Sequence, residues 1–164
     1  MQGLLLAITS ARRYFYIQSP YFLPTEPILL ALKTASLSGV DVRIMIPERA
    51  DASLVHCATL SYLKELLEAG IKVYMYQKGF LHSKLWVCDD VFSSVGSTNM
   101  DFRSFEHNFE INAFMYDEAS ARLLKEIFLS DQKDAELLQN RSWSMRPWYQ
   151  KVIESIIRLF APLL

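Results

Sequence analysis

His82 and Lys84 stand two residues apart in "FLHSKLWVCDDVFSSVGSTNMDFRSFEHNFE" (Phe80 to Glu110). An alternating pattern of this kind predicts a strand over Leu81–Cys88, on which side chains alternate between faces. His82, Lys84 and Trp86 then share one face, with Leu85 and Val87 on the other. Lysine supplies a fixed positive charge suited to a phosphate oxygen. Histidine can attack as a nucleophile or carry a proton near neutral pH. The pair suits phosphoryl or phosphodiester chemistry. Downstream, Gly96 permits close backbone approach, while Ser97 and Asn99 offer neutral donors to a phosphate or oxyanion. Asp89 falls at the turn between two strands, where it can pair with a cation or cap the turn. Asn108, Glu110 and Asn112 alternate with Phe109, Ile111 and Ala113. A glutamate on a cleft-lining face could hold a histidine ring by its Nδ1–H. The Pro- and aromatic-rich "SPYFLP" is a packed turn or a substrate wall, with Tyr21 as the residue to test. His56 and His107 read as ordinary helix and turn residues.

These residues need a frame. Helical periodicity predicts helices over Gly3–Arg12, Glu26–Ser38, Ser53–Ala69, Glu118–Ser130 with more helix to Gln139, and Pro147–Phe160. Strands are expected at Tyr14–Gln18, Asp41–Ile46 and Ile71–Tyr76, then three in succession at Leu81–Cys88, Phe92–Val95 and Phe109–Tyr116. Alternating strands and helices followed by consecutive strands predict an α/β fold, a mixed β-sheet sandwiched between helix layers. With 164 residues and 51% apolar composition, one domain with a real core is expected. The net charge of −1 advertises no nucleic-acid partner. Cys57 and Cys88 form no C-x-x-C pair and read as small buried hydrophobes. The opening apolar run falls short of the ~20 residues of a membrane span. The three histidines show no metal-ligand spacing.

"HSKLWVCDDVFSSVGSTN" resembles the phospholipase D superfamily motif H-x-K-x4-D-x6-G-S-x-N at every defined position. "YIQSPYFLP", "GVDVRIMIP", "LLEAGIKVYMY", "GFLHSK", "GSTNMDFRSFEHNFE" and "RLFAPLL" are similar to the C-terminal half of bacterial cardiolipin synthases. The resemblance implies one phospholipase D-like domain over residues 1–164, the second catalytic half of a longer enzyme. It implies phosphatidyl transfer between two phosphatidylglycerol molecules through a phosphohistidine, with no cofactor and no metal. It assigns His82, Lys84, Asp89 and Glu110 to the catalytic set. Asp89 is the structural acid of the motif, Glu110 the support of a histidine. Lys84, Ser97 and Asn99 become the phosphate binders. Family members carry two such motifs, preceded by membrane helices, and this chain carries one. The resemblance therefore implies a second histidine–lysine half as partner, from another domain or a homodimer. It also implies phospholipid substrates and a peripheral place at the bacterial cell membrane. Two alternatives stay open: a homodimeric phospholipase D or nuclease, and a non-catalytic membrane- or partner-binding domain. The C-terminal stripe of Val152, Ile153, Ile156, Ile157 and Phe160, flanked by cations and aromatics, reads as a packing face or a membrane contact.

Overall fold

The computed structural model describes residues 1–163; Leu164, the end of "RLFAPLL", lies outside them. In chain order the elements are α1 (Gln2–Ser10), β1 (Tyr14–Gln18), β2 (Phe22–Leu23), α2 (Glu26–Leu37), β3 (Asp41–Pro47), α3 (Ser53–Glu68), β4 (Lys72–Tyr76), β5 (Leu85–Cys88), β6 (Phe92–Gly96), β7 (Met100–Asp101), α4 (Phe102–Glu106), β8 (Asn112–Met115), α5 (Glu118–Asp131), β9 (Ala135–Leu137), α6 (Asn140–Ser144) and α7 (Trp148–Arg158). Seven strands form one sheet in the order β8-β6-β5-β1-β3-β4-β9, and β2 pairs with β7 in a separate two-stranded ribbon. The expected mixed sheet between helix layers is observed. β1, β3 and β4 run parallel, while β5, β6, β8 and β9 are antiparallel to their neighbours.

Both faces of the sheet are buried, which explains the near-continuous apolar runs of β1 and β5. One face carries Phe15, Ile17, Val42, Ile44, Val73 and Trp86 against α1, α2 and α3. The other carries Tyr14, Tyr16, Met45, Leu85 and Val87 against Ala121, Leu124 and Phe128 of α5. Gly39 and Gly70 follow α2 and α3 with positive φ, where a glycine stops a helix without Cβ strain.

Three expectations are corrected. β5 begins at Leu85 rather than Leu81, so His82 and Lys84 lie on the segment entering the strand. The strand expected over Phe109–Tyr116 shortens to β8, so Glu110 precedes it, while Trp86 stacks on Phe15 at 5.7 Å in the larger core. The helix expected to reach Gln139 stops at a 3-10 turn, Gln132–Asp134, and Ala135–Leu137 instead adds an antiparallel edge strand to β4. No helix among the described residues is long and apolar enough to cross a membrane.

Candidate active site

The register puts the start of β5 against the end of β1, since Gln18 pairs with Leu85. The His82–Lys84 segment and the loop after β1 therefore meet at the carboxyl edge of the parallel strands. Open α/β sheets commonly bind ligands at that edge.

Gln18, the last residue of β1, and Ser19, the residue after it, hold this edge together, and neither is among the residues that the motif marks. Gln18 is fully buried, and its Nε2 donates to Asp131 Oδ2 at 2.7 Å. Its Oε1 accepts from Ser83 Oγ at 3.2 Å, between His82 and Lys84. Ser19, also fully buried, accepts from the Met100 N–H at 3.1 Å through its hydroxyl oxygen. Its hydroxyl donates to the Tyr21 carbonyl at 2.7 Å. One dipeptide thus fixes the histidine–lysine segment and the end of the "GSTN" loop. A polar Gln–Ser pair closing the apolar run "YFYI" was the available signal.

His82 is exposed. Its ring lies 5.3 Å from that of Phe80 and makes no side-chain hydrogen bond among the described residues. Lys84 folds back, its Nζ donating to the His82 carbonyl at 2.8 Å. Burial pushes the Lys84 amine below its ordinary value, opposed by the charges of Glu110, Asp51 and Asp101. Lys84 is thus a half-buried cation within the field of three carboxylates.

Ser97 and Glu110 come together as the alternation pattern allows, but on different terms. The Ser97 hydroxyl donates to Glu110 Oε2 and accepts from the Ile111 N–H at 3.0 Å. Glu110 Oε1 accepts from Asn108 Nδ2 at 3.3 Å. The carboxylate is therefore engaged with Ser97 and Asn108 rather than with His82. Glu110, Asn108 and Asn112 do face inward, lining a cavity of about 250 Å³ with Lys84, Trp86 and Ser94. Phe109 and Ile111 point out and are strongly exposed. Asn99 Oδ1 is buried with no partner among the described residues. A group left open in this way is suited to contact a ligand.

Gly96 must be glycine for steric reasons. A Cβ there would come within 2.3 Å of the Ile111 carbonyl oxygen and 2.7 Å of Asn112 Cα. Its N–H donates to the Lys84 carbonyl at 3.1 Å, tying β6 to the His82–Lys84 segment.

Tyr21 stands near the same edge. Its hydroxyl meets both Asp51 oxygens, at 2.7 and 2.9 Å, and its pKa is pushed up to about 12 by burial and by Asp51. Asp51 and Asp101 act on both Tyr21 and Lys84. Asp101 is buried and caps α4, accepting from the Ser104 N–H at 2.6 Å.

Asp89 lies elsewhere, at the opposite end of β5. It adopts φ 55° and accepts from the N–H groups of Arg12, Arg13 and Tyr14 at 2.7, 2.9 and 2.8 Å. It lies five residues along the chain from Lys84, roughly 17 Å if extended. There it holds the backbone that enters β1, away from the His82–Lys84 segment. His56 is half-buried, and its pKa is lowered by burial. His107 is exposed at the end of α4, its ring 5.4 Å from Phe102.

Residues 4–132 match the family described as cardiolipin synthase, PLD-like domain. A cardiolipin synthase of Geobacillus sp. (strain WCH70) is 52% identical over 157 residues, covering 96% of this chain and 31% of that protein. Cardiolipin synthase 2 of Staphylococcus epidermidis is 49% identical, covering 99% of this chain and 33% of that protein. The chain thus spans about a third of the length of these curated relatives. Among solved structures, Nuc from Salmonella typhimurium, a phospholipase D family member, superposes with a TM-score of 0.72. It is 25% identical, with 84% of this chain and 90% of that chain covered. A phosphatidylserine synthase from Haemophilus influenzae shares the fold with a TM-score of 0.71 at 16% identity, covering 99% of this chain and 41% of that chain.

Proposed function

Because the chain belongs to the cardiolipin synthase, PLD-like domain family, we propose that it is one catalytic half of a phosphatidyl transferase acting at the cell membrane. The substrate is phosphatidylglycerol, and the products are cardiolipin and glycerol. A histidine ring nitrogen attacks phosphorus, and the bond from phosphorus to the terminal glycerol oxygen breaks. A second histidine protonates that oxygen as glycerol leaves. The same histidine then takes the proton from a hydroxyl of a second phosphatidylglycerol. That oxygen displaces the phosphohistidine, which restores both rings.

Within this scheme His82 is the acid and base, and the nucleophile comes from the partner half. Lys84, Ser97 and Asn99 hold the phosphoryl oxygens. Glu110 positions Ser97 in the unliganded site and supports a histidine cation once substrate displaces that contact. The observation that carries the reading is His82 itself: exposed, free of any side-chain hydrogen bond among the described residues, and beside a half-buried lysine. One such histidine supplies half the proton and nucleophile inventory, so a second motif must face it.

A second reading is a homodimer, in which the one H-x-K motif of each chain is doubled by two-fold symmetry. In a symmetric pair each His82 serves either role. Labelled phosphatidylglycerol tests both readings, with the chain alone and with a second histidine–lysine half supplied. Cardiolipin formed by wild type and absent with His82→Ala supports transfer. Phosphatidic acid alone points to hydrolysis by water. No turnover from a proven dimer or from the completed enzyme overturns the catalytic reading.

A further inference from the structure

Helix α7 wears its amphipathic pattern turned outward. Glu154 is its one buried residue, gripped by Arg146 through two bonds at 2.6 and 3.0 Å. The Arg146 guanidinium lies 3.2 Å from the centre of the Trp143 ring. Arg158 pairs with Glu65 at 2.6 Å and covers the Tyr62 ring. The helix therefore meets α3 through Arg158 and packs the core with the partly buried Ile157. Trp148, Tyr149, Val152, Ile153, Ile156 and Leu159 are left exposed, Trp148 at 75%. A contiguous apolar face of this kind marks an interaction surface.

Charge identifies the occupant. Residues 140–163 contain Arg141, Arg146, Lys151 and Arg158 against Glu154 alone, in a chain whose net charge is −1. Arg141 and Lys151 have no ion pair among the described residues; Lys151 Nζ donates only to the Ser144 carbonyl, at 2.7 Å. A second copy docking face to face would set these like charges against each other. An anionic lipid surface would neutralise them, and tryptophan and tyrosine favour the bilayer interface. A groove of about 630 Å³ also opens beside α7, lined by Arg158, Leu159, Tyr62, Pro27, Leu23 and Phe102. Leu23 pairs with Asp101, one of the carboxylates acting on Lys84. The groove therefore borders the β2–β7 ribbon on one side and α7 on the other.

We propose that α7 lies in the headgroup layer of an anionic bilayer, its apolar stripe inserted and Arg141 and Lys151 on lipid phosphates. Leu159 lies both in the exposed stripe and on the groove wall, so the groove begins at the edge of the inserted face. The inference rests on the reading that the substrate is a phospholipid.

Vesicle flotation of the chain tests it, comparing equimolar phosphatidylcholine–phosphatidylglycerol with phosphatidylcholine alone. Trp148 fluorescence is read in parallel, because Trp86 and Trp143 are buried. Anionic vesicles should bind at least about tenfold more tightly and shift the emission to the blue. Ile153→Glu/Ile156→Glu changes two exposed positions, and circular dichroism checks its fold. It should lower the partition at least about tenfold and abolish the shift. Unchanged binding by this variant overturns the proposal. So does a wild-type dimer, seen by sedimentation without lipid, that the same variant dissociates. His82→Ala should bind vesicles as wild type does. Failed transfer with intact vesicle binding then counts against the enzymatic reading alone. Lost vesicle binding with transfer intact on soluble short-chain phosphatidylglycerol is the expected α7 result.

Discussion

The two ends of β5 carry parts of the same motif under opposite conditions. At the Asp89 end every acidic group is occupied: Asp89 accepts three backbone N–H groups, and Asp90 meets Arg13, Tyr14 and Lys125. At the His82 end the histidine is exposed without a side-chain hydrogen bond among the described residues, and Asn99 Oδ1 is buried without a partner. Satisfied polar groups stiffen a fold, whereas open ones retain the capacity to bind. A single motif therefore contains a frame and, in the proposed mechanism, a set of reagents, separated by the length of one strand.

The strongest test of that division is His82→Ala in the completed enzyme. Removing an acid, base or nucleophile should cut the transfer rate by at least about a thousandfold. Because the ring is exposed, the melting free energy should move by less than about 0.5 kcal/mol. A large loss of stability would place His82 in the frame and erase the contrast. Gly96→Ala comes next, at the joint between the two sets. The added Cβ would press on the Ile111 carbonyl and the Asn112 backbone, which cannot rotate away. Overpacking of this kind should cost about 3 kcal/mol, read by urea melting. Activity should fall as well, because Ser97 shifts with the backbone.

Asp89→Ala attacks the frame alone. Three N–H groups lose a charged acceptor, two of them able to recover water, so the expected cost is about 2 kcal/mol. The rate per folded molecule should remain that of wild type. Asp90 offers the same test through pH. Burial would raise its pKa, but hydrogen bonds from Lys125 and Tyr14 prevail and hold it below the ordinary 3.8. A carboxylate depressed on folding contributes stability that is present above pH 3.8 and lost as pH falls through the folded value. Asp90→Asn should therefore flatten the acid limb of the stability curve, with no change in vesicle binding or catalysis at neutral pH.

Much of this contrast was legible in the residues. The period-2 and helical patterns located β1 to the residue and α2, α3 and α5 within one, because those elements bury long faces. Elements made by tertiary contact were not legible. β2 and β7 are two residues each and exist through pairing with one another, and β9 exists through β4. Spacing brought Lys84, Ser97 and Glu110 to one end of the sheet. It did not reveal that Glu110 engages Ser97, nor that Gln18 and Ser19 tie the site loops, since those bonds join residues 13 to 81 positions apart.

Tyr21 is the residue whose side of the division is least obvious, and its variant should have the smallest effect. Its hydroxyl is bound to Asp51 like a frame residue, yet it shares the fields of Asp51 and Asp101 with Lys84 like a member of the site. With a pKa pushed up to about 12 it remains a neutral donor at physiological pH, unsuited to proton transfer. Tyr21→Phe removes one hydroxyl and frees Asp51 to draw Lys84 toward itself. A displaced lysine binds phosphate less well, so KM should rise about threefold. The rate constant should stay within about twofold, and stability within about 1 kcal/mol. A hundredfold fall in kcat at unchanged KM would instead make Tyr21 a group that acts in the transition state. The open, reagent-bearing end of β5 would then extend across the sheet edge to the loop that follows β1.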